Sequence, residues 1–97
     1  MIASFADQGT ADIYNGSATK AALKCLGREL WSVAQRKLTM LNAATAVKDL
    51  KSPPGNKLEK LSGDLDGKFS IRINQQFRIV FAFGGGNAME VQIVDYH

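Results

Sequence analysis

The residues best suited to chemistry gather at the end of this chain. The sequence closes on "VQIVDYH", and its last residue, His97, is the only histidine. An imidazole has a reference pKa of about 6.5, so His97 can give or take a proton near neutral pH. Tyr96 offers an aromatic face on which a splayed base can stack. Upstream, "KFSIRIN" and "FRIVFAF" carry Arg72 and Arg78. Guanidinium forks match phosphate oxygens bidentately and stabilise the extra negative charge of a phosphoryl-transfer transition state. An arginine pair, a tyrosine and a histidine on one surface suit cleavage of RNA. The ribose 2′-hydroxyl can be the nucleophile there, so no metal is required. The opposing reading is that the arginines splay into water and the terminal histidine is idle.

Such chemistry needs a scaffold that brings these residues together, and the strand pattern supplies one. Phe69, Ile71 and Ile73 share one face of a strand over 68–74, with Lys68, Ser70, Arg72 and Asn74 on the other. Over 77–83, Phe77, Ile79, Phe81 and Phe83 form the apolar set. Both sets must face a common core, so parity restricts the register. A two-residue loop would place Ile73 opposite Arg78; a loop of three, at 74–76, pairs Ile73 with Phe77 and Arg72 with Arg78. Two arginines then sit opposite each other on the exposed face, where like charges destabilise by a few tenths of a kcal/mol up to about 1. A phosphate between them would turn that repulsion into a binding site. In the next hairpin a five-residue turn, "GGGNA", pairs Phe83 with Met89 and keeps Val91 and Ile93 on the core face. Arg78 then faces Val94, and Tyr96 falls one diagonal step away.

The first half of the chain is helical. "IASF" reads as a short strand, and "ADQGTADIYNGS" as a short helix stopped near Asn15-Gly16. Leu23, Leu26, Leu30, Val33, Ala34, Leu38, Leu41 and Ala44 recur at spacings of three and four, which predicts one helix from about residue 22 to 44. Lys24, Arg28, Arg36 and Lys37 lie mostly off that stripe and read as a solvated face. Trp31 suits either the core edge or a partner contact. A short helical turn holds Val47 and Leu50, and Pro53-Pro54-Gly55 ends it. "KLEKL" is a strand edge and "GDLDG" a turn. Helices first and strands later predict an α+β fold, with the helices on one face of a small antiparallel sheet.

Composition sets the bounds. At 97 residues the chain is expected to form one domain over 1–97. Hydrophobic residues make up 45% and charged residues 22%, the balance of a globular protein rather than a disordered one. No apolar run approaches ~18 residues, and "MIASFADQG" lacks the pattern of a secretory signal. Cys25 has no cysteine to pair with, and one cysteine with one histidine does not make a zinc site of the usual kind. A cytoplasmic protein without membrane segment, metal or cofactor is expected. The net charge of +3 is a mild hint of an anionic partner.

With these residues placed, a family likeness stands out. "SPPGNKLEKLSGDLDGKFSIRINQQFRIVF" followed by "VQIVDYH" resembles the HigB toxins, or plasmid maintenance system killer proteins, of the RelE superfamily. The likeness is strong over about residues 45–97 and looser over 1–44, where "MIASF" still matches the usual start. It implies a RelE-like α+β fold and the toxin of a bacterial type II toxin–antitoxin system. Such toxins cut mRNA on the ribosome, typically in the A site, without a metal. It also implies an antitoxin of HigA-like type with a helix-turn-helix domain. Such a partner would cover the basic face or bind elsewhere and block ribosome entry, and the helix bearing Arg28 and Arg36 is one candidate surface.

Residue by residue, Arg78 matches the family arginine of "WRI", although Phe77 stands where tryptophan is usual. Asp95, Tyr96 and His97 match the terminal motif in full. In "LEKLSGD", Glu59 stands where some members have histidine, and Ser62 where they have lysine. Glu59 is then a candidate base, and Lys57 or Lys60 candidates for the missing positive charge. On this likeness Arg78 and Arg72 hold the scissile phosphate, Tyr96 stacks on or orients the nucleotide, His97 is acid or base, and Asp95 orients the chain end.

Two other classes stay open. The ParE toxins resemble this superfamily's fold and act on DNA gyrase by binding; the complete Asp-Tyr-His end argues against that. A basic nucleic-acid-binding module without catalysis would bind in a salt-sensitive way and cut nothing.

Overall fold

Asp7 starts the first helix by accepting the Thr10 N–H at 2.8 Å, one of the donors that a helix start leaves unpaired. In this computed structural model, which describes residues 1–96, α1 runs Gln8–Asn15. It stops at Gly16, whose φ of 77° favours glycine. Thr19 begins α2, Lys20–Cys25, its hydroxyl accepting the Ala22 N–H at 3.1 Å.

The single helix expected over 22–44 is broken. Leu26 is extended at φ −158° and ψ 139°. A 3₁₀ turn then spans Arg28–Leu30, and α3 covers Trp31–Ala43. Gly27 lies at the break, and glycine in a helix interior costs about 1 kcal/mol relative to alanine. The break leaves the Leu26 carbonyl free to accept the Trp31 indole N–H at 2.8 Å, and Trp31 is buried in the core. The apolar stripe survives: Leu26, Leu30, Val33, Ala34, Leu38, Leu41 and Ala44 all pack in or against the core, while Leu23 stays exposed.

The strands are β1 Glu59–Lys60, β2 Lys68–Arg72, β3 Phe77–Gly84 and β4 Asn87–Asp95, antiparallel neighbours in chain order. Their apolar face, with Ile71, Ile79, Phe81, Val91 and Ile93, closes the core against Ile13, Leu38 and Leu41 of the helices. This is the expected α+β arrangement, with the helices on one face. The first hairpin has the register that parity predicts. Ile71 pairs with Ile79, Arg72 with Arg78, and the Ile73 N–H donates to the Phe77 carbonyl at 2.9 Å.

The second hairpin differs from its expectation. Phe83 pairs with Ala88 and Gly84 with Asn87, so the loop is Gly85-Gly86 rather than five residues. Both glycines take positive φ, 59° and 79°, as a type I′ turn requires. The register then shifts between Val80 and Ala82, with an extra β4 residue near Glu90, whose φ is 52°. This bulge absorbs the parity change, so Ile93 still faces Ile79 and Val91 stays in the core.

"IASF" forms isolated parallel bridges rather than a strand. Ile2 meets Ala88 and Phe5 meets Val91, with Ala3 donating to the Ala88 carbonyl at 2.7 Å. These bridges cover the outer edge of β4. Among the described residues no helix is long and apolar enough to cross a membrane.

The sheet's second face, expected to be open, is partly covered. Ser70, Val80 and Arg78 on that face are buried. A connection through 3₁₀ turns at Val47–Lys51 and Pro54–Asn56 folds the backbone of Lys57 over Arg78.

Candidate functional site

Strand pairing builds the site. Arg72 and Val94 flank Arg78 across the sheet, and Ser70 lies between Glu59 and Val80 in the adjacent row. All of these side chains project from the face away from the helices. The two arginines are opposite each other as predicted, but they are not both exposed. Arg78 is only 7% exposed. Its Nε donates to Ser70 Oγ at 2.7 Å, and its Nη2 to the Lys57 carbonyl at 2.5 Å and the Ser70 carbonyl at 3.4 Å. Ser70 sits two positions along β2 from Arg72, so the Arg78 side chain leans along the sheet and away from the facing charge. That lean relieves the like-charge contact without any bound anion. Arg72 is half-buried and has no side-chain hydrogen bond or ion pair among the described residues.

The Nη1 edge of Arg78 is less committed. It faces Glu59 Oε1 at 3.9 Å, a loose ion pair whose carboxylate side chain is 51% exposed. A phosphate oxygen could take that place, because the guanidinium is already oriented by its bonds to Ser70 and Lys57. The Tyr96 ring lies over the guanidinium, 5.5 Å from its carbon to the ring centre. Tyr96 is 38% exposed, so its ring also reaches solvent.

Gln76 holds the chain end in this position. Its carbonyl accepts the Tyr96 N–H at 2.6 Å, and its side-chain amide donates to Asp95 Oδ2 at 3.0 Å. Asn74 shapes the loop around it, with Oδ1 accepting the N–H groups of Gln76 at 2.9 Å and Phe77 at 2.7 Å.

The structure therefore brings together Arg78, Glu59 and Tyr96, with Arg72 beside them, while Asp95 pairs with Phe77 and is held by Gln76. Lys57 joins them through its carbonyl rather than its ammonium, which is at the surface with Lys60. His97 lies outside the described residues. Ser70 and Gln76 were not among the residues predicted from sequence. Ser70 carried one signal, a small hydroxyl on the face that Arg78 shares; Gln76 carried none. Cys25 fits a packing role: its thiol is 3.6 Å from Thr10 Oγ1, and burial raises its pKa. Among the described residues no three His, Cys, Asp or Glu side chains group to hold a metal ion.

Chemically, the cluster can seat one phosphate against a fixed guanidinium, offer a carboxylate next to it, and stack a planar group on the tyrosine.

Residues 3–97 match the family described as RelE-like toxin of type II toxin-antitoxin system HigB. The chain is similar to Toxin HigB-1 of Vibrio cholerae serotype O1, 47% identical over 58 residues that make up 60% of this chain and 61% of that protein. It is also 41% identical over 54 residues to a Haemophilus influenzae protein described as uncharacterized, covering 56% of this chain and 54% of that one. Both matches thus span less than two thirds of the relatives' lengths. In fold the chain resembles one from the YoeB-YefM complex of Staphylococcus aureus, with a TM-score of 0.61 and 16% identity, covering 100% of this chain and 98% of that one. A heterotetrameric YoeB-YefM structure from the same organism gives 0.54 and 18%, again covering 100% and 98%. At these identities the likeness speaks for the fold.

Proposed function

The chain belongs to the RelE-like toxins of the HigB type II toxin–antitoxin system, and from that membership and the site geometry we propose that it is a ribosome-dependent, metal-independent mRNA endonuclease that stops translation. One observation carries this reading: a buried guanidinium, fixed by Ser70 and the Lys57 carbonyl, lies against an aromatic ring that also reaches solvent.

In the proposed reaction Arg78 binds the scissile phosphate through Nη1 and displaces Glu59. Tyr96 stacks on the base beside the cut. Arg72, Lys57 and Lys60 add a positive field that favours the approach of RNA. Glu59 takes the proton from the 2′-hydroxyl as the new O–P bond forms to the same phosphorus. The bond from phosphorus to the 5′-oxygen breaks, and His97 supplies the proton that the leaving oxygen needs. The products are a 2′,3′-cyclic phosphate and a 5′-hydroxyl. Asp95, held by Gln76, orients the chain end that carries Tyr96 and His97.

The toxin is proposed to act in the cytoplasm, where mRNA and ribosomes are, and to be neutralised by a HigA-like helix-turn-helix antitoxin. The related folds were solved as complexes of YoeB with YefM, which supports a protein partner for this chain as well. Primer extension on cellular mRNAs after induction tests the reading. New 5′ ends within coding regions, absent from an Arg78→Lys control, support it. Growth arrest with intact mRNA refutes it.

A further inference from the structure

A second buried cation sits behind the site. Lys37 of α3 is only 8% exposed, although the helix pattern assigns it to a solvated face. Its ammonium donates to Asn56 Oδ1, and Asn56 is itself 0% exposed. The Asn56 amide nitrogen donates to the Leu50 carbonyl at 3.1 Å and the Ser52 carbonyl at 3.4 Å. Burying an ammonium and an amide together is unfavourable unless their hydrogen bonds are made. Desolvation, with Arg36 beside it, holds the Lys37 pKa below its ordinary value. An apolar pair would join α3 to this loop without that cost. What a polar joint adds is direction.

The direction leads to Arg78. Asn56 ends the Pro54–Asn56 turn, and the next residue, Lys57, is left-handed at φ 48° and ψ 51°. In that conformation the Lys57 carbonyl meets Arg78 Nη2 at 2.5 Å. α3, the Leu50 turn and Ser52 thus converge on one amide, and the adjacent peptide fixes the guanidinium. We propose that Lys37 and Asn56 are positioning residues that set the Arg78 guanidinium through the carbonyl of Lys57. The consequence for catalysis rests on Arg78 being the phosphate-binding group. The positioning itself does not.

The test uses the full chain with Lys37→Met and, separately, Asn56→Ala. Nitrogen-15 NMR follows solvent exchange of the Arg78 guanidinium N–H groups, with the amides of Ile71 and Ile79 as internal controls. The expected result is exchange at least about tenfold faster at Arg78 in each variant, with the strand amides still protected. On programmed ribosomes kcat is expected to fall about tenfold or more while KM changes less, because misplacing a group that acts in the transition state lowers the rate at saturation. If Asn56→Ala does not fold, Lys37→Met alone decides. Unchanged Arg78 exchange in folded Lys37→Met overturns the proposal, whatever happens to cleavage. If the unaltered protein cuts no mRNA, the functional reading fails alone, and the exchange measurement still decides the positioning.

Discussion

The guanidinium carbon of Arg78 lies 5.5 Å from the centre of the Tyr96 ring. This contact joins the middle of the sheet to the end of the chain. Cation–π contacts of this kind contribute about 0.5–2 kcal/mol, more when water is excluded. The ring shields the arginine on one side, and the Lys57 carbonyl holds it on another. The Nη1 edge toward Glu59 is where an anion would enter.

Burial changes what truncating Arg78 should do. Arg78→Ala leaves the Ser70 and Lys57 oxygens without their donor, which typically costs about 1–3 kcal/mol. The expected result is a Tm lower by several degrees, so lost activity in this variant would be ambiguous. Arg78→Lys keeps a charge but loses the fork. It should cut cleavage by about 10²–10³-fold with a smaller change in Tm. Thermal melts beside cleavage assays check both.

Glu59 sits where the phosphate is expected, so removing its charge should have two opposite effects. Glu59→Gln should bind a non-cleavable 2′-deoxy RNA more tightly. As the loss of a proton acceptor it should slow cleavage by about 10²–10⁴-fold. Titration with the 2′-deoxy strand and a single-turnover assay separate the two. Stability should change by less than about 1 kcal/mol, since the ion pair is half-exposed.

Tyr96 is expected to act through its ring. Tyr96→Phe should retain RNA affinity, and Tyr96→Ala should lose roughly 1–3 kcal/mol of binding for the base it stacks on. Binding isotherms for the three proteins at one salt concentration decide this. A loss in Tyr96→Phe equal to that in Tyr96→Ala would assign the role to the hydroxyl instead.

Sensitivity to acid has a local source in Asp49. Its carboxylate accepts the N–H groups of Thr45 at 3.0 Å and Ala46 at 3.1 Å, and these bonds hold its pKa below the ordinary 3.8. A carboxyl lowered on folding contributes stability that is complete above its unfolded pKa and is lost as pH falls through its folded pKa. Asp49→Asn should therefore weaken the protein near neutral pH and narrow the gap to the unaltered protein as pH drops below about 4. Denaturant melts across that range measure it.

Periodicity and parity made parts of this fold legible. The stripe from Leu26 to Ala44 and the facing of Arg72 and Arg78 both follow from rules that act within a few residues or one hairpin. Other features depend on contacts far apart in sequence. Alternation assigns Arg78 to the face away from the helices, but nothing local says that Lys57 will cover it. Lys37 reads as solvated because its partner, Asn56, lies beyond the end of the helix. Gly27 was a visible helix breaker inside a run whose hydrophobic period continued across it. The Gly85-Gly86 loop was hidden for a different reason: the bulge at Glu90 restores the parity on which the register argument depends. Of the site, Arg78 and Tyr96 were legible by type and position, and Glu59 only through the family likeness. Ser70 and Gln76 hold them through contacts that no motif marks.

The most direct test of the central claim is cleavage of mRNA on purified ribosomes programmed with a defined codon in the A site. The account predicts one cut in that codon, a cyclic phosphate on the upstream fragment, and no cut when the nucleotide 5′ of the scissile bond lacks its 2′-hydroxyl. Equal cleavage of the 2′-deoxy message, or no cleavage by a preparation that still arrests growth, would contradict it.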